Sequence, residues 1–203
     1  MNNIQPTPAN IIADFTNPES GELEILYFPG HPKVIIFDAT KGVFCDDEKN
    51  PLTAPSEPFI IHPIAFRLFQ DNIFGMGLKK WAEFFFLNEE KIICSLLVHS
   101  YSVDELMSLI PKLYYQRANI CEVALSIKPE ERTSKTPGAA GKKFFICMFS
   151  LTRLSEDLIA FNKLVSENFN IWREASFTAH AVMETSRNYK KPVQNSCLED
   201  KAA

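Results

Sequence analysis

LKKWAEFFFL, residues 78–87, and KIICSLLVHS, residues 91–100, decide how this chain is read. Each is an apolar run of strand length, and Asn88, Glu89 and Glu90 between them supply a turn, so the pair predicts a β-hairpin. Within the first strand, Trp81, Glu83 and Phe85 share one face while Ala82, Phe84 and Phe86 share the other. An ionisable Glu83 is costly to bury, so its face is expected to be the wet one, displaying Trp81 and Phe85.

Upstream, FIIHPIAFRLFQ (59–70) reads as a strand in which Pro63, lacking an N–H, forces an edge or a bulge. The loop NIFGMG follows, with two glycines that permit tight turning. Downstream, Val103, Leu106, Met107, Ile110 and Leu113 recur at helical spacing, with Ser102 and Glu105 as a capping box and Pro111 bending or ending the helix. NICEVALSIK alternates as a half-buried strand, and KKFFICMFSL is another. PEERTSKTPGAAG between them is too polar to bury and is expected to be a mobile surface loop.

The flanks divide the chain further. Residues 1–21 are read as a loose arm. Residues 22–58 carry two or three strands, GELEILYF and PKVIIFDATKGVFC, and then a polar linker that separates them from the body at 59–154. Ser155 caps a helical segment extending to about residue 191, with Leu158, Phe161, Val165 and Trp172 as its apolar stripe and a division near Asn168 and Asn170. Residues 192–203 are expected to fray. The fold class is α+β, mainly β.

With 203 residues and 46% apolar composition, the chain is long enough to bury a core. It has no run of about 18 uncharged apolar residues and no secretory pattern at its start, so a cytoplasmic protein without membrane contact is expected. Five cysteines without a C-x-x-C pair and four histidines without ligand spacing predict neither a disulfide framework nor a metal site. Cys94, Cys121 and Cys147 fit the core of strands. Phosphate-loop, nucleophile-elbow and zinc-protease motifs are missing, so neither catalysis nor a cofactor is expected. The net charge is −4. It is unevenly spread, at −6 over residues 1–58, +3 over 59–154 and −1 over the remainder, which leaves room for a local basic groove.

The element order of residues 59–154 is strand, strand, strand, helix, strand, strand. It resembles that of the OB-fold, a five-stranded, partly open barrel that often binds single-stranded nucleic acid. The resemblance implies a binding surface on the second and third strands, flanked by NIFGMG and by the loop before Lys142 and Lys143. Strand parity supplies the rings for such a surface: Phe69 beside Arg67, Trp81 and Phe85 after Lys79 and Lys80, and Phe144 beside Lys142 and Lys143, with Lys135 in the loop. Rings that stack bases, interleaved with cations that hold the backbone, suit a single strand. The expectation is therefore a non-catalytic single-stranded DNA-binding protein. The alternative is a module whose aromatic face docks a protein partner or a second copy of itself.

Overall fold

The computed structural model describes residues 13–192 except 136, 137 and 139. All but the first residue of the expected tail at 192–203, and most of the expected N-terminal arm, lie outside the described residues. The fold is α+β and mainly β. Its strands are β1 (Lys33–Asp38), β2 (Val43–Cys45), β3 (Phe59–Ile61), β4 (Pro63–Asp71), β5 (Lys79–Leu87), β6 (Ile93–His99), β7 (Val123–Thr133), β8 (Lys143–Arg153) and β9 (Val182–Arg187). The helices are α1 (Tyr101–Met107), α2 (Ile110–Tyr115) and α3 (Glu156–Asn168). Six strands form a mixed sheet in the order β2-β1-β6-β5-β4-β9, and β3-β7-β8 form an antiparallel one. No closed barrel is present among the described residues.

The predicted hairpin is β5–β6, paired from Trp81 with His99 to Leu87 with Ile93. Pro63 does break the ladder: the β4–β5 register shifts between Pro63 and Ala65. Because of that break, one extended stretch serves both sheets, its first part pairing with β7 and its second with β5. The inner faces meet in one core, where Phe66, Phe84, Phe86, Leu96, Leu125 and Ile127 pack with Val103 and Leu106 of α1. Cys94, Cys121 and Cys147 are buried there, and burial pushes their thiols up to about 11, 12 and 12 respectively. They are packing residues.

Several expectations are corrected. GELEILYF forms isolated bridges, and the strands of residues 22–58 are β1 and β2. β1 runs parallel to β6, so it belongs to the same sheet as the predicted hairpin. The helix at 102–113 is two helices, with Pro111 in the first turn of the second, where a missing N–H costs nothing. The Ser102 hydroxyl makes no cap; it accepts the Cys147 N–H at 3.0 Å and so ties α1 to β8. Residues 129–133, expected in a loop, extend β7, with Pro129 buried and 130–133 an exposed ribbon, so polarity there marked solvent contact without excluding a strand. Ser155 caps α3 by accepting the Leu158 N–H. Beyond Asn168, however, the chain leaves the helix, and residues 182–187 form β9 against β4. No helix among the described residues is long and apolar enough to cross a membrane.

Candidate nucleic-acid interface

Four of the expected interface residues lie in the interior. Arg67, Phe69, Trp81 and Phe85 are all at most 2% exposed, and Glu83 is fully buried with them. The expectation of a wet Glu83 face fails because Glu83 does not stand alone. Arg67 lies opposite it on β4 and donates from Nε at 2.7 Å, while the Ser176 hydroxyl donates to the other carboxylate oxygen at 2.8 Å. Arg67 Nη2 also donates to the Ser176 carbonyl at 2.9 Å, and the guanidinium lies 4.0 Å over the Phe69 ring and 4.5 Å over Tyr189. A charge pair satisfied on all sides can be enclosed.

The cover comes from this chain's own C-terminal part. Met183 of β9 and Ala181 pack on Phe69 and Trp81, and Phe161 and Val165 of α3, with Ile171 and Tyr189, pack around Phe85. Trp81 donates its indole N–H to the Asp71 carbonyl at 3.0 Å. These rings hold the sheet to its cover and cannot meet a base.

The remaining predicted residues stay at the surface, beside rings that the sequence reading did not select. Phe74, 53% exposed in the loop after β4, meets Trp81 edge to face at 6.2 Å, and Trp81 meets His99 in the same manner at 4.9 Å. Tyr101, 60% exposed at the start of α1, lies 6.0 Å from Phe144 of β8. His99, Tyr101 and Phe144 line one cavity of about 280 Å³, with Phe37 and Phe145. Tyr101 and Phe144 also line a second of about 510 Å³, with Arg132 and Lys135. The two cavities thus share Tyr101 and Phe144 along one stretch of surface.

Backbone contacts fix this stretch. In the β7–β8 ladder Arg132 pairs with Phe144, so the guanidinium-bearing and phenyl side chains share a face. The Phe145 N–H donates to the Ala39 carbonyl at 2.7 Å, fastening the hairpin's free edge to the β1–β2 turn. In that turn Gly42 has φ +66°, and a Cβ built there would lie 2.6 Å from the Phe145 ring. Only glycine gives both the left-handed backbone and the close approach.

The charges are graded. Lys143 pairs with Glu131 at 2.8 Å, Arg132 with Glu130 at 2.7 Å and Lys80 with Glu184 at 3.4 Å. Lys79, Lys135 and Lys142 form no ion pair among the described residues. Asp104 and Glu105 line the larger cavity from α1, which leaves the cationic side on the hairpin. Burial, with the nearby Lys79 charge adding to it, holds the His99 imidazole below its ordinary pKa. Among the described residues no three His, Cys, Asp or Glu side chains gather as metal ligands. Rings and unpaired ammonium groups can stack and neutralise, and His99 Nδ1 and the Ser100 hydroxyl, 2.9 Å apart, line the smaller cavity beside them.

Phe74 was open to discovery in NIFGMG, where a large ring lies in a glycine-rich loop. Tyr101 and His99 gave less signal, since their importance depends on Phe144 arriving from 43 residues later in the chain. Comparison of the chain with protein-family models, with curated proteins and with solved structures found no match.

Proposed function

We propose that this protein binds single-stranded nucleic acid, in the first instance DNA, without catalysis and with little sequence preference. The observation that carries the reading is the pairing of Tyr101 with Phe144 on a cavity that Arg132 and Lys135 also line. Two accessible rings of suitable spacing offer stacking surfaces, and unpaired cations nearby can follow a phosphate backbone.

The order of pairing supports an OB-like reading: residues 59–61 pair with β7 and residues 63–71 with β5, β5 and β6 follow, α1 and α2 intervene, and β7–β8 end the series. In that frame the ligand surface is flanked by the loops after the first and fourth strands. Here those loops are 72–78 and 134–142, and they carry Phe74, Lys135 and Lys142. The sheet face between them is occupied by residues 173–189, so the proposed contact shifts outward onto the loops, Tyr101 and Phe144.

The test is a fluorescence anisotropy titration of labelled oligo(dT) at two salt concentrations. Binding that weakens as salt rises, and falls about tenfold or more in a Tyr101→Ala/Phe144→Ala variant, is expected, since each stacked base contributes about 1–3 kcal/mol. Absence of binding at low ionic strength removes the reading. One observation favours a second reading, docking of a protein partner or of another copy: Phe74, Met76 and Leu78 in one loop are 53, 41 and 69% exposed. Light scattering that shows a stable oligomer, together with flat oligonucleotide titrations, selects it.

A further inference from the structure

A second aromatic and cationic surface lies at the other end of β7. Tyr114 and Tyr115 end α2 with 77 and 83% exposure, and their rings meet edge to face at 5.7 Å. Adjacent exposed rings at a helix end bury almost nothing of themselves within this chain, so packing does not account for them. They line a groove of about 620 Å³ with Arg117 and Arg187. The groove shares Asn119, Glu122 and Arg187 with a neighbouring one of about 310 Å³ that also holds Lys163 and Lys190.

The charge here is one-sided. Glu122 is engaged by the Asn119 side chain and lies 3.8 Å from Arg153, and Glu167 lies 3.8 Å from Lys163. Arg117, Arg187 and Lys190 form no ion pair among the described residues, and all three are exposed. Two unneutralised arginines beside two open rings, with Lys190 in the adjoining groove, complement a polyanion that carries flat groups.

β7 spans the distance between the two surfaces. It begins at Val123, directly after the Asn119–Glu122 border of this groove, and ends at Thr133, beside the Arg132–Phe144 pair. Eleven residues of extended chain cover about 35 Å. We infer that the Tyr114–Tyr115 groove is a second contact for the same nucleic-acid strand, so that a bound strand is held at both ends of β7. The inference rests on the reading of the Tyr101–Phe144 surface given above.

The experiment measures binding of the full chain to labelled oligo(dT) of about 4 and about 30 nucleotides, one at the lower limit of the usual site size of one such module and one well beyond it. Two variants are compared with wild type, Tyr114→Ala/Tyr115→Ala and Arg117→Gln/Arg187→Gln. All four side chains are exposed, so folding is retained, as thermal melting verifies. The long strand is expected to bind wild type at least tenfold more tightly than the short one. Both variants lose that advantage and keep their affinity for the short strand. The arginine variant also shows a salt slope shallower by about 1.4, from two lost phosphate contacts at about 0.7 each.

Long-strand affinity within twofold of wild type in both variants overturns the inference and leaves the Tyr101–Phe144 reading standing. Failure of wild type to bind either length overturns both. Displacement of a labelled polyglutamate from this groove, without any effect of the variants on oligo(dT), also overturns it and assigns the groove to an acidic peptide.

Discussion

Arg67 Nη2 lies 2.6 Å from Glu83 Oε2, with both side chains almost wholly removed from solvent. The pair joins neighbouring strands of the large sheet and, through Ser176, joins that sheet to a segment about a hundred residues further along. Removal of one partner leaves an uncompensated interior charge. Glu83→Gln is expected to cost about 3–5 kcal/mol in urea unfolding, whereas Arg67→Met/Glu83→Leu costs less than the single change. A Glu83→Gln loss below about 1 kcal/mol contradicts this account.

Trp81 and Phe144 should separate stability from binding. Trp81 is 2% exposed, so Trp81→Ala leaves a cavity and lowers unfolding free energy by about 3–5 kcal/mol. Phe144→Ala removes a half-buried ring and should weaken oligo(dT) binding by about 1–3 kcal/mol with a smaller change in stability. The comparison takes one denaturant series and one titration per variant. Equal stability losses with equal affinities would speak against the proposed surface.

Lys135→Gln/Lys142→Gln acts on the backbone of the ligand and not on its bases. The slope of log affinity against log salt is expected to become shallower by about 1.4, at about 0.7 per phosphate contact. The loss should be uniform across oligonucleotide sequences. Loss confined to particular sequences would place these residues at base edges instead.

Gly42→Ala combines a left-handed backbone with a Cβ 2.6 Å from the Phe145 ring. It should cost about 1–3 kcal/mol and move Phe145, which lines the same cavity as Phe144. Thermal melting registers the first effect and oligo(dT) affinity the second. A variant as stable as wild type would show that the β1–β2 turn relaxes freely.

His99 gives a pH dependence of known sign. Its folded pKa is depressed, chiefly by burial, so the unfolded chain binds the proton more readily. The stabilising contribution is complete above the unfolded value of about 6.5. It declines as pH falls from there through the folded value. Between pH 7.5 and 5.5 the stability of wild type should therefore fall more than that of His99→Gln, in matched urea titrations. Parallel curves would rule out the shift.

The local architecture was legible where periodicity and turn chemistry act over a few residues. The β5–β6 hairpin, the break at Pro63, the Ser155 cap and the core positions of Cys94, Cys121 and Cys147 all follow from that scale. The wet face was misassigned because the cost of burying Glu83 depends on Arg67 and Ser176, and Ser176 is 93 positions away. β9 escaped notice because its six residues are mostly exposed and gain their strand form from the ladder with β4. Parallel pairing of β1 with β6 likewise depends on topology and leaves no trace in either segment alone. Among the candidate interface residues, Lys79, Lys80, Lys135, Lys142, Lys143 and Phe144 retain solvent contact, and the four deep ones do not.

The clamp formed by residues 173–189 also sets an order of events during synthesis. While a nascent chain still lacks Ser176, Met183 and Tyr189, the pair Arg67–Glu83 has no third partner, the rings of Phe69 and Trp81 have no lid, and Phe85 has only part of its cover. The large sheet is thus finished only after nearly every described residue has left the ribosome, and until then its sticky side is the natural target of a holding chaperone.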